Sequence, residues 1–197
     1  MQYNNFESII LTDQFYKDYK NYTQILQKTK RPYILVVVII NDFLCAIPLR
    51  SNINVQEYKI RRAIKYGTFF HTENEERSTK KGLDFSKLII LQDSHYILDS
   101  TKLKDITQKN YIHSSKHIIE SQLKKYIHTY KSKFMKLEAG NYHKEMYYYC
   151  ATSSLQYFHN LLGLPESMEI IQNVANYLVS QGVIIKEHKI KIINERQ

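Results

Sequence analysis

Tyr33-Ile34-Leu35-Val36-Val37-Val38-Ile39-Ile40 climbs through a continuous apolar run, Asn41-Asp42 interrupts it, and Phe43-Leu44-Cys45-Ala46-Ile47-Pro48-Leu49 descends from it. β-Branched and aromatic residues fill both halves, and Asn-Asp suits the tight turn of a hairpin. Because its first half is uninterrupted rather than alternating, the pattern predicts a central strand covered on both faces. The hairpin is entered at Arg31-Pro32 and delivers Arg50-Ser51-Asn52 at its far end. A guanidinium, a hydroxyl and an amide there form a set suited to holding phosphate. Ser and Asn are also ordinary turn residues, and by themselves the three residues read first as a surface turn.

Working outward, residues 6–11 predict a first short strand, after which Thr12 caps a helix carrying Phe15, Tyr16 and Tyr19. Residues 66–70 predict a strand and 72–81 a charged loop. Residues 88–91 and 95–98 predict two short strands around an Asp93-Ser94 turn. The clearest helix covers 115–138, where Ile118, Ile119, Leu123, Tyr126, Ile127, Tyr130, Phe134 and Leu137 recur at helical spacing and Gly140 stops the run. Ser153-Ser154-Leu155-Gln156 has the form of a capping box, opening a helix that turns Leu155, Phe158, Leu161 and Leu162 inward and ends at Gly163. A further helix over 167–181 buries Ile170, Ile171, Val174, Leu178 and Val179, and 183–186 with 189–193 alternate as a terminal hairpin would. Strands come first and helices mostly later, without a repeat or composition break. That order predicts one α+β domain over 1–197 with an antiparallel sheet.

Composition narrows the partner. Lys and Arg outnumber Asp and Glu by 28 to 19, giving a net charge of +9, with 17 Tyr and no Trp. Cations meet phosphates and Tyr rings stack on bases, so a polyanion is favoured, although an AT-rich coding sequence would generate the same excess of Lys and Tyr. Two cysteines, Cys45 and Cys150, suggest reduced thiols rather than a disulfide framework. The polar opening residues lack a secretory h-region, and no apolar run approaches the length of a membrane span. The expectation is a cytoplasmic protein without a membrane partner.

Several chemistries lack their residues. No Cys/His cluster has zinc spacing, no glycine-rich phosphate loop can be built from five glycines, and the acidic residues are scattered. No metal or cofactor is therefore expected. Phosphate chemistry without a metal remains open, because RNA supplies its own nucleophile in the 2′-OH and the enzyme need only position it and stabilise charge. Arg50 and Lys87 are the cations nearest such a task. Lys87 reads equally as a solvated lysine, with Gly82 a turn and Asp84 a cap. His71 is an acid or base by its ordinary pKa, or a structural neighbour of Phe69-Phe70. His113, His117, His128 and His159 read as surface or core-edge residues.

Taken together, Leu11-Thr12-Asp13-Gln14-Phe15-Tyr16, Arg31-Pro32-Tyr33, Ile47-Pro48-Leu49-Arg50-Ser51-Asn52-Ile53, Lys81-Gly82-Leu83-Asp84-Phe85-Ser86-Lys87, Gln122-Leu123-Lys124-Lys125-Tyr126 and Ser153-Ser154-Leu155-Gln156-Tyr157-Phe158-His159 resemble the endoribonuclease toxins of type III toxin–antitoxin systems. These form the ToxN/AbiQ superfamily, and the likeness is to its TenpN-like branch. The resemblance covers about 6–164 and leaves 165–197 as an extension. It implies a compact, strongly twisted antiparallel sheet flanked by helices, similar to the MazF/Kid-like toxin fold. It also implies metal-independent RNA cleavage through a 2′,3′-cyclic phosphate, and a role in phage defence by abortive infection. The implied partners are cellular or phage RNA and an inhibitory repeat RNA, folded as a pseudoknot and held in a closed symmetric assembly.

Carried onto this chain, the resemblance makes Ser51, Arg50 and Lys87 the catalytic candidates. The RNA-binding candidates are Arg31, Tyr33, Asn52, Lys59, Arg61, Arg62, Lys80, Lys81 and Asp84, with Tyr58 and Tyr66 as further stacking rings. Members of the ToxN type carry a lysine two residues after the matching serine, where this chain has Ile53. The missing cation must then come from elsewhere, from Lys87 or Lys81 first, with Arg31 and Lys59 behind them. The alternative, from a different class, is a non-catalytic RNA-binding protein using the same basic face.

Overall fold

In the computed structural model, residues 6–25, 35–40, 43–54, 68–70, 79–92, 94–100, 106–183 and 185 are described. The hairpin forms from strand β2, Leu35–Ile40, and strand β3, Phe43–Asn54, paired antiparallel from Leu35↔Pro48 to Ile40↔Phe43. Two residues, Asn41 and Asp42, join them and lie outside the described residues. Val37 and Val38 point to opposite faces and are both fully buried, as a covered central strand requires. The covering stops at Ile39, which is 45% exposed.

Around this pair stand β1 (Ser8–Leu11), β4 (Thr68–Phe70), β5 (Thr79–Asp84), β6 (Ile89–Leu91) and β7 (Ile97–Ser100). They form a seven-stranded sheet of order β4-β5-β3-β2-β1-β7, with β6 on β3, and every pairing is antiparallel. Three expectations fail here. First, β3 does not end at Leu49, and Arg50-Ser51-Asn52 is no terminal turn: the strand runs twelve residues because β5 offers it a second ladder. Second, Thr79, Lys80 and Lys81 belong to that partner strand rather than to a loop, and Gly82 sits in it opposite Arg50 rather than in a turn. Third, β6 and β7 do not pair with each other around Asp93-Ser94. β6 joins β3 and β7 joins β1, with the 3-10 turn Ser94–Tyr96 between them. In each case a distant partner strand overrides local turn propensity.

Helix α1, Asp13–Asp18, begins as expected, with Thr12 Oγ1 accepting from the Phe15 N–H and Phe15 fully buried. Helices α2, Ile106–Ser114, and α4, Lys144–Ala151, were not legible in the pattern. Helix α3, Lys116–Glu138, buries Ile119, Leu123, Tyr126, Tyr130, Phe134 and Leu137, a four-three-four-four-three spacing that keeps one face on the core. Ile118 falls off that face and is 41% exposed. Gly140 ends the helix at φ +87°: its own N–H reaches Leu137 O, and the Asn141 N–H reaches Lys136 O at 2.9 Å. This paired bonding satisfies carbonyls that the helix leaves open, and it requires a left-handed residue.

The expected helix after Ser153 is instead the 3-10 turn Ser154–Tyr157 followed by α5, His159–Leu162, with Gly163 left-handed at its end. Ser153 caps as expected, accepting from the Leu155 N–H, but Gln156 does not return the bond. Its amide donates to Ala151 O and Ser153 O, which pulls the turn tight. Helix α6, Ser167–Ser180, buries Ile171, Val174 and Leu178, while Val179 is 59% exposed and Ile170 only partly covered. The helices α3, α4 and α6 pack on one another, and α3 also touches β2. The terminal-hairpin expectation falls largely outside the described residues. No helix among those described is long and apolar enough to cross a membrane.

Candidate functional site

The register between β3 and β5 shifts after Arg50. Arg50 opposes Gly82 and Ile53 opposes Lys80, so Ser51 and Asn52 together face the single residue Lys81. This two-against-one arrangement is a β-bulge, a device that bends a strand and re-aims its side chains. Arg50, at the bulge's edge, donates from Nη1 to Asp84 Oδ2 at 2.6 Å. The Asp84 carboxylate is 5% exposed and the Arg50 side chain 36%. The acid is thus inside and the cation reaches outward from it.

Asp84 also starts the next element. Its Oδ1 accepts from the Ser86 N–H at 3.1 Å and from the Ser86 hydroxyl at 2.6 Å, capping the 3-10 turn Phe85–Lys87. A buried carboxylate is tolerable because it is both paired and hydrogen-bonded. Its two oxygens thus orient the Arg50 guanidinium and cap the turn.

One turn further on, Lys87 is half-buried. Its ammonium donates to Gln24 Oε1 and, at 3.0 Å, to the Thr152 carbonyl. The turn is clamped from the other side by Ser154, whose hydroxyl bonds the carbonyls of Ser86, at 3.2 Å, and of Leu88. Ser153 in turn accepts from Tyr126 OH at 2.6 Å. Burial raises the pKa of that phenol far above its ordinary value, so Tyr126 remains a neutral donor.

Asp84 thus links Arg50, at the edge of the bulge, to the turn that carries Lys87, with Ser51, Asn52 and Lys81 in the bulge itself. The side chains of Ser51, Asn52, Lys80 and Lys81 lie outside what is described, although their backbones are placed in β3 and β5. Arg31, Tyr33, Tyr58, Lys59, Arg61, Arg62, Tyr66 and His71 lie outside the described residues. Sequence reasoning missed Gln24 and Thr152, and it placed Ser153 and Ser154 as helix-starters rather than as the clamp on this turn. The Ser-Ser-Leu-Gln string was their signal; nothing local marked Gln24.

His159 is buried, not at a surface or core edge. Its Nδ1 lies 2.5 Å from Pro165 O, which can only accept, so Nδ1 carries the proton and Nε2 accepts from Tyr130 OH at 2.7 Å. Burial lowers its pKa, opposed by the Pro165 bond. Among the described residues no three His, Cys, Asp or Glu side chains gather as metal ligands.

Chemically, the arrangement offers a guanidinium backed by a buried acid and an ammonium that donates to the Gln24 and Thr152 oxygens. Both suit contact with a phosphate oxygen. No family model, no curated relative and no solved structure matches the chain.

Proposed function

We propose that the protein is a metal-independent endoribonuclease and the toxin of a type III toxin–antitoxin system, with a fold akin to the ToxN and MazF/Kid-like toxins. The observation that carries the reading is the Arg50–Asp84 pair at the edge of the Ser51-Asn52 bulge. A guanidinium anchored to a buried carboxylate keeps its geometry before substrate arrives, and preorganised charge is what phosphoryl transfer needs. In the proposed reaction the 2′-oxygen bonds to the adjacent phosphorus and the bond from phosphorus to the 5′-oxygen breaks. A proton leaves the 2′-OH and another reaches the 5′-oxygen. Arg50 neutralises the non-bridging oxygens, Ser51 orients the phosphate, and Lys87 stabilises the charge.

A repeat RNA that occupies the same basic face would inhibit the enzyme, in a closed symmetric complex within the cytoplasm. Expression alone should arrest growth, and purified protein should cut RNA in EDTA to leave 2′,3′-cyclic phosphate ends. Binding of RNA without cleavage under these conditions would instead favour a non-catalytic RNA-binding protein. Neutralisation by a small protein rather than an RNA would end the type III assignment.

A further inference from the structure

We infer that Gln24 is the positioning residue for Lys87 and that Tyr157 sets Gln24 in place. The inference rests on the ribonuclease reading, in which Lys87 serves the reacting phosphate. The chain leaves α1 through two successive turns, Tyr22 N–H to Tyr19 O and Ile25 N–H to Tyr22 O, and Ile25 then drives into the core at 2% exposure. Between them, Tyr157 holds this segment at three points. Its ring lies 4.4 Å from that of Tyr22, and its hydroxyl is 3.3 Å from Thr23 Oγ1 and 3.2 Å from the Gln24 N–H, from which it accepts. The Gln24 backbone is thereby fixed, and its carboxamide oxygen meets the Lys87 ammonium.

The second acceptor, the Thr152 carbonyl, belongs to the C-cap of α4, where carbonyls lack an intrahelical donor. Neither of these two partners is charged. A carboxamide at position 24 places the ammonium without itself adding a negative charge beside it. The same segment, residues 152–157, thus grips Lys87 directly through Thr152, its turn through Ser154, and Gln24 through Tyr157.

A double-mutant cycle in RNA cleavage by the full chain tests this, using wild type, Gln24→Leu, Lys87→Met and the pair, with melting temperatures measured alongside. Misplacing a reacting group by about 1 Å costs on the order of 10–100-fold, so Gln24→Leu should lower kcat by that factor with KM within about two-fold. In the Lys87→Met background it should cost nothing further. Should Gln24→Leu fail to fold, Tyr157→Phe, which removes only the hydroxyl, carries the same cycle with a smaller loss in the same direction. Equal losses with and without Lys87 would show independent effects and overturn the positioning role while leaving the ribonuclease reading intact. A wild-type protein that does not cut RNA would overturn both.

Discussion

Arg50 and Asp84 are joined by a 2.6 Å bond in which the acid is buried and the base is not, and the same carboxylate caps the turn that carries Lys87. One side chain thus couples the bulge to the turn. Asp84→Ala should remove the ion pair and both Ser86 bonds, and urea denaturation should show a loss of about 1–3 kcal/mol. Because Arg50 is partly solvated, the pair itself contributes only part of this. Asp84→Asn keeps an acceptor for Ser86 and should lose less. A wild-type midpoint for Asp84→Ala would refute the coupling.

The proposed chemistry puts a different demand on the bulge. Ser51→Ala and Arg50→Ala should each reduce RNA cleavage by roughly 10²–10³-fold, the usual consequence of removing one preorganised donor. Far-ultraviolet circular dichroism of Ser51→Ala should match wild type. Activity that disappeared with EDTA and returned with magnesium would contradict the metal-independent reaction.

His159 makes the stability pH-dependent in a definite direction. Its native pKa lies below the ordinary 6.5 because burial disfavours the charged form. The unfolded chain therefore takes the proton first, and the neutral-histidine contribution, complete above about pH 6.5, is lost as pH falls from there toward the lower native value. The slope from this one group cannot exceed about 1.4 kcal/mol per pH unit. Comparing melting temperatures of wild type and His159→Asn between about pH 7 and 5 isolates it, and parallel curves would mean that the imidazole does not titrate differently on folding.

Cys45 and Cys150 are fully buried, and burial pushes both thiols up to about 12. Since only the thiolate is reactive, iodoacetamide at neutral pH should leave both unmodified in the native protein and label both in guanidinium. Rapid native labelling of either residue would show that its surroundings open easily.

Gly140 occupies the left-handed region, and a Cβ placed there would find nothing within 4 Å, so a side chain would meet strain but no clash. Gly140→Ala should accordingly cost about 1 kcal/mol, a backbone effect alone. An unchanged denaturation midpoint would mean that α3 can end another way.

By itself the sequence determined those elements whose signal is periodic and local. The β-branched run on either side of Asn41-Asp42 made the hairpin legible, and the spacing from Ile119 to Leu137 with Gly140 beyond it made α3 legible. Thr12 marked the start of α1. Helix α4 escaped because Tyr147-Tyr148-Tyr149 stand side by side, and adjacent aromatics carry neither a helical nor a strand period.

Tertiary structure alone decided where strands end and which groups meet. Ser51 and Asn52 have turn propensity, yet β5 holds them in a strand, because a ladder formed with a distant segment outweighs preferences worth a fraction of a kcal/mol. Arg50 reaches Asp84 across 34 positions, Lys87 reaches Gln24 across 63, and Tyr157 reaches Gln24 across 133. Such bonds leave no mark on the local pattern of either partner: a glutamine in a polar stretch looks the same whether it faces water or an ammonium. Motifs named the cations, and only the fold joined Arg50 to the carboxylate that caps the Lys87 turn.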